Sequence, residues 1–308
     1  MQILAGVFGG AKGASVAGYF GGGQDATPTS LNGIDKITFP ADTKSTLSAT
    51  LSSGRYYLAA MADSGIAGYF GGGITPTFLN GIDKITFPAD TKSTLSATLT
   101  TARGYAAGMA NSGVAGYFAG GYDGVRLDGI DKITFPGDTK STLSATLTSA
   151  RQTCGSMANS GVAGYIGGGY DGADVSAIDK VTFPADTKST LSATLTTARA
   201  YLAGMADSGV AGYFTGGLDS VGFLNGIDKV TFASDTKSTL SATLSSGNFI
   251  LAAMADSGTA GYIGGGGDPT RLSRIDKVTF PGDTKSTLVA TLSSARYAHA
   301  GMADSGVL

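Results

Sequence analysis

The tripeptide Ile-Asp-Lys returns six times, at Ile34, Ile82, Ile130, Ile178, Ile227 and Ile275, at a spacing of 48 residues with one step of 49. Such self-similarity marks an array of one supersecondary unit, whose copies cannot bury a hydrophobic face alone and must lean on their neighbours. Each unit holds four short segments of strand character separated by turn signals. In the second unit the spacing predicts strand a over 58–62, ended by Asp63-Ser64-Gly65, and strand b over 66–70, ended by Gly71, Gly72 and Gly73. Strand c is predicted over 82–87, stopped by Pro88, and strand d over 93–99, where Leu95, Ala97 and Leu99 share one face. Nothing in the unit reads as a helix. Four strands in 48 residues is too long for one coil of a solenoid and fits a propeller blade. The expectation is an all-β chain, a six-bladed β-propeller with four antiparallel strands per blade, forming a single domain over 1–308.

Side-chain size predicts the radial order. Strands that converge on an axis have room only for small residues, as in Ala107-Gly108-Met109-Ala110 and Ala203-Gly204-Met205-Ala206. Farther out, Ile85, Phe87, Leu95 and Leu99 are suited to fill the wedge between blades, each contributing roughly 1.5 to 3 kcal/mol if fully buried. The 49 glycines fall at fixed places in the unit and follow no Gly-X-Y period, so they read as turn and close-packing residues.

A hydrophobic content of 42% with 14% charged residues is that of a chain that folds. The formal charge of −2 and the lack of a Lys/Arg cluster argue against nucleic acid as a partner. No apolar run approaches the roughly 18 residues that cross a bilayer, and the opening residues lack a basic n-region, so neither membrane insertion nor a targeting segment is expected. The compartment stays open, with a virion or extracellular surface among the options.

Strand b ending in paired glycines, a variable loop, an aspartate-bearing strand c, strand d, an arginine and a small-residue strand a follow one another as Gly68-Tyr69-Phe70-Gly71-Gly72, the loop to Asn80, Ile82-Asp83-Lys84, 95–99, Arg103 and 107–110. This order resembles the kelch repeat over nearly the whole chain. It departs from the kelch pattern in having no tryptophan, with leucine in its place, and in carrying Asn248 where the fifth arginine would stand. The wording of the units also resembles repeat proteins of marine bacteriophages and their hosts. The copper chemistry of galactose-oxidase-type kelch enzymes needs histidines and a modified cysteine. This chain has one histidine, His299, and one cysteine, Cys154, so that class is not expected here.

Ring closure has two candidates for one slot. A C-terminal copy of strand a, within 297–308, keeps the Met-Ala-Asp-Ser-Gly wording and is expected to pair with strand b at 16–20. The divergent N-terminal segment, 1–15, would then lie elsewhere. Alternatively residues 2–8 fill the slot, or both ends serve an assembly or a longer array, and a homo-oligomer is compatible with this.

One histidine and one cysteine leave no Ser/His/Asp constellation with backup, no disulfide and no multi-ligand metal centre, so no cofactor, metal or catalytic residue is expected. The sixfold Asp42, Asp90, Asp138, Asp186, Asp235 and Asp283, and the set Asp63, Asn111, Asn159, Asp207, Asp256 and Asp304, read as turn residues capping backbone donors. Arg55, Arg103, Arg151, Arg199 and Arg296 read as partners of a neighbouring aspartate, the alternative being an anion site at the channel mouth.

Two stretches differ between the units while the rest is nearly copied. One is the b–c loop, at 24–31, 74–80, 122–128, 170–176, 218–225 and 267–274. The other follows the arginine position, at Tyr56-Tyr57, Gly104-Tyr105, Gln152-Thr153, Ala200-Tyr201, Phe249-Ile250 and Tyr297-Ala298. Strands of a meander reverse direction in turn, so both connections are predicted on one face of the disc. There Tyr56, Tyr57, Phe78, Tyr105, Tyr122, Tyr170, Tyr201, Phe223, Phe249 and Tyr297 offer flat amphipathic area. Asp123, Arg126, Asp171, Asp219, Asp268, Arg271 and Arg274 offer polar handles. The leading expectation is a non-enzymatic adhesion module that binds a glycan or protein on a surface. A structural scaffold without a small ligand is second, and a hydrolase or lyase third.

Overall fold

A computed structural model describes residues 17–304. In them the 48-residue unit becomes a four-stranded antiparallel sheet six times over, and the six sheets are the blades of a β-propeller. From the axis outward, blade 2 consists of Ala59–Asp63, Ala67–Gly71, Ile82–Thr86 and Thr91–Thr94. Blade 1 is composite: its inner strand is the C-terminal Ala300–Ala303, which pairs with Ala17–Gly21, Gly18 facing Ala303 and Gly21 facing Ala300. The segment 1–15, the competing closure through residues 2–8, and residues 305–308 lie outside the described residues.

The outer strand differs from its expected position. It spans Thr91–Thr94, ahead of the alternating run that suggested it. Beyond Thr94 the chain leaves the ladder, yet the Leu95 amide still donates to Ile82 O at 2.9 Å and the Leu99 amide to Asn80 O at 2.9 Å. Leu99 is buried at 2% exposure, so the alternation there reports which side chains fill the wedge and not which backbone pairs.

At the axis the inner strands approach one another so closely that a Cβ on Gly108 would lie 2.1 Å from the Ala60 carbonyl oxygen. The channel is therefore narrow because the small residues of the inner strands permit it. The methionines of these strands do not fill it. Met61, Met109, Met157, Met205, Met254 and Met302 are fully buried and pass their thioethers sideways onto a glycine of the following blade's second strand.

The turn aspartates act between blades, a correction to their reading as local caps. Asp90 of blade 2 accepts the Tyr19 hydroxyl at 2.8 Å and the Lys36 ammonium at 2.7 Å, both from blade 1, and Tyr19 stacks on Phe87 at 5.0 Å. The clamp recurs at every seam and closes the circle where Tyr262 and Lys277 of blade 6 reach Asp42 of blade 1, at 2.8 and 2.7 Å. On the same side of the disc, nearer the axis, Asp63 accepts the Gly113 amide of the next blade at 2.7 Å, and Asn111 that of Gly161 at 2.9 Å. These side chains do cap backbone donors, but their neighbour's.

The arginines are internal. Arg55 donates Nη2 to Asp83 at 2.6 Å and to Phe70 O at 3.3 Å, while Asp83 also accepts the Ser52 amide at 2.9 Å and the Thr94 hydroxyl at 2.8 Å. Burial alone would raise the Asp83 pKa, but the Ser52 bonds together with Arg55 outweigh it and hold the carboxyl below its usual range. Equivalent pairs join Arg103 to Asp131, Arg151 to Asp179, Arg199 to Asp228 and Arg296 to Asp35. Where Asn248 interrupts the series it donates to Gly265 O at 2.8 Å, and Arg274 reaches in from the b–c loop to Asp276 at 3.6 Å. Arg274 thus fills the gap that Asn248 leaves.

Candidate functional site at the channel mouth

The two variable stretches are hydrogen-bonded to each other on one face. Tyr56 bridges to Ile74, Gly104 to Tyr122, Gln152 to Tyr170, Ala200 to Leu218 and Phe249 to Gly267, and at the closure Tyr297 pairs with Gln24. The residue after each of these points at the axis, and there the backbone forms a closed ring. The Tyr57 amide donates to Ala298 O at 2.7 Å, Tyr105 to Tyr57 O at 2.8 Å, Thr153 to Tyr105 O at 3.0 Å, Tyr201 to Thr153 O at 2.9 Å, Ile250 to Tyr201 O at 2.9 Å and Ala298 to Ile250 O at 3.0 Å.

To make that ring all six residues adopt positive φ, between 55° and 60°. Glycine is the ordinary occupant of this region, and for β-branched Thr153 and Ile250 it is a true outlier. None of the six is glycine, and four residue types share the position. Their side chains line an open depression of about 420 Å³ over the channel, floored by the next residues in each copy, Leu58, Ala106, Cys154, Leu202, Leu251 and His299.

The aromatic residues expected on this face form two groups. Tyr57 stacks on Tyr105 at 3.8 Å, with Tyr56 at 5.2 Å from Tyr57, Tyr122 at 6.4 Å from Tyr105, and Phe78 at 5.8 Å from Tyr122. Across the mouth Tyr201 meets Phe249 edge-on at 6.1 Å, and Phe249 stacks on Phe223 at 4.6 Å. Burial, helped by neighbouring tyrosines, raises the Tyr57 pKa, and burial above all pushes Tyr105 up to about 12, so both hydroxyls stay protonated donors at neutral pH. Tyr170 and Tyr297 each sit under an arginine, Arg126 lying 4.8 Å from the Tyr170 ring and Arg271 4.2 Å from the Tyr297 ring, and Tyr297 also meets Tyr57 at 6.5 Å.

The expected acidic handles are partly spent on their own loops. Asp219 accepts the Val221 amide at 2.8 Å and the Gly222 amide at 3.0 Å, Asp123 accepts that of Val125 at 3.2 Å and Asp171 that of Ala173 at 3.4 Å. Asp268 accepts the Ser246 hydroxyl. They shape the loop tips. Sequence reasoning found the variable positions but missed the ring of left-handed residues. It also missed the layer beneath, where His299 takes the place that leucine holds in three other blades.

The His299 ring is buried, has the Gly264 backbone as its weak hydrogen-bonding neighbour, and packs edge-on against Phe20 at 5.5 Å. Burial first, then the nearby Arg296 charge, holds its pKa well below 6.5, with Asp35 opposing more weakly. A depressed histidine keeps its full contribution above the unfolded value and loses it as the pH falls below about 6.5. His299→Leu should therefore stabilise the fold by about 1 kcal/mol at neutral pH through removal of a buried, poorly satisfied imidazole. The gain should widen between pH 6.5 and 5, and urea midpoints measured across that range would show it. An equal gain at every pH would exclude titration of His299 as the cause.

Among the described residues no group of three or more His, Cys, Asp or Glu side chains is placed to hold a metal ion. Compared with known proteins, the chain matches no family model and none of the curated proteins.

Proposed function

We propose that this is a kelch-like recognition module, non-enzymatic, that binds a glycan or protein on a surface through the face carrying the b–c loops, as part of a phage or cell-surface structure. Propellers commonly serve as binding or scaffold modules. The Arg55–Asp83 pair, joining the arginine before strand a to the aspartate of strand c, supports the kelch likeness by giving that residue order a structural reason.

One observation carries the functional reading. The scaffold repeats almost residue for residue, yet at six equivalent mouth positions it holds different, non-glycine side chains in a backbone conformation that glycine would adopt without strain. Strain of about 1–3 kcal/mol per residue persists where side chains do something that the relaxed alternative cannot. A rigid support with diversified loops on one face is the usual layout of a binding surface.

The test is binding of the purified protein to host surfaces and to a glycan array, compared with Tyr57→Ala/Tyr201→Ala. Ala298 already occupies the equivalent position, so the double variant should fold with an unchanged melting temperature. Binding should fall at least tenfold. Unchanged binding by a folded variant would refute the reading.

A further inference from the structure

The residues that return each b–c hairpin to its bridge are Ser30, Phe78, Arg126, Asp174, Phe223 and Arg271. In a ring of six, blades three apart are diametrically opposed. Phe78 thus faces Phe223 across the mouth, Arg126 faces Arg271, and at the ring itself Tyr57 faces Tyr201. The loop chemistry therefore has an approximate two-fold pattern that the copied scaffold does not require.

The two arginines are exceptional in charge pairing. Among the described residues every other lysine and arginine has a carboxylate within ion-pair distance, whereas Arg126 and Arg271 have none. Each leans over the seam onto a bridged Tyr/Gln pair, with the two residue types exchanged: Tyr297 with Gln24 under Arg271, and Gln152 with Tyr170 beside Arg126. At the first seam Arg271 Nη2 donates to Gln24 Oε1 at 3.0 Å and to the Tyr297 hydroxyl at 2.8 Å. At the second, Gln152 Oε1 is buried with no partner, and the Nε atoms of Arg126 and Arg271 alike are buried with none. A donor that carries charge and a neutral acceptor thus stand unsatisfied beside one tyrosine, a costly arrangement that a ligand offering both an anion and a hydroxyl would relieve.

Resting on the recognition reading above, we propose that the mouth binds an elongated glycan bearing carboxylated sugars, laid along the diameter from Arg126 to Arg271. A guanidinium set over a tyrosine ring with no carboxylate of its own can turn its remaining N–H groups to one. The adjacent carboxamide takes a ring hydroxyl, and the central tyrosines offer faces to the sugar rings. An acidic peptide also supplies carboxylates and N–H donors, but a poly-aspartate chain has no sugar-ring face to lay on the central tyrosines. The b–c loops carry seven aspartates against three arginines, so the face repels densely charged polymers such as polysulfates and accepts carboxylates only where an arginine stands.

The experiment is calorimetry of the full chain with a uronic-acid hexasaccharide and with the same hexasaccharide after reduction of its carboxyl groups to alcohols. The acid form should bind, reduction should weaken binding at least tenfold, and raising salt from low to high should weaken the acid form alone. Arg126→Gln/Arg271→Gln should lose at least tenfold without a change in melting temperature. Should that variant misfold, Arg126→Lys/Arg271→Lys keeps charge and stem and should still lose most of the affinity. Equal binding of both sugars, equal binding of a poly-aspartate peptide, or full binding by the folded double variant would overturn the proposal. Binding of neither sugar by a protein whose surface attachment still depends on Tyr57 and Tyr201 would overturn it too, while leaving the recognition reading intact. Loss of that dependence would remove both.

Discussion

Asp83→Ala is expected to lower stability by roughly 3–5 kcal/mol, because it leaves the Arg55 guanidinium buried without its counter-charge. Arg55 is 2% exposed, and its remaining partners would be the carbonyls of Phe70, Gly72 and Gly81. The reverse change, Arg55→Leu, should cost less. Asp83 would keep the Ser52 amide and hydroxyl, the Thr94 hydroxyl and Lys92 at 3.2 Å. The asymmetry is already present in the chain, since the seam with Asn248 lacks the arginine and persists with Arg274 at 3.6 Å from Asp276. Combining both substitutions should recover part of the loss. Chemical denaturation of the three variants measures this, and a cost below about 1 kcal/mol for Asp83→Ala would mean that the pair is not what ties the linking segment to its blade.

The number of blades was legible because the Ile-Asp-Lys period counts them, and the four strands because Gly and Pro punctuate each unit. The limits of the reading have physical causes. Alternation at Leu95, Ala97 and Leu99 records burial in the wedge, and extended chain that has left a ladder alternates just as a paired strand does. Asp90 looked local because Asp in a turn commonly caps its own backbone. Its partner Tyr19 lies 71 residues away in the preceding blade, a contact that only the packing of one blade on the next creates. At the mouth, variation after each arginine was visible as a difference between copies. The left-handed backbone was not, since the residue that normally signals it, glycine, is absent from all six positions.

The methionine that joins each blade to the next gives the second large effect. Met61 has no exposed surface, and its Sδ lies so close to Gly116 that a Cβ there would sit 2.0 Å away. Met61→Ala should cost about 2–5 kcal/mol by opening a cavity at the seam. Gly116→Ala should cost about 1–3 kcal/mol by forcing the thioether out of its groove. The pair Met61→Ala/Gly116→Ala should be milder than the sum of the two by at least 1 kcal/mol, because the added methyl then occupies space that the methionine has vacated. Fully additive costs in a denaturation cycle would show that the two blades do not meet through this contact. A coupled result would mean that a seam between neighbours is held by complementary volumes, in which neither residue can change without the other. The same Met and Gly types recur at all six seams, which is why this part of the unit can be copied while the loops on the far end of the same strands diverge.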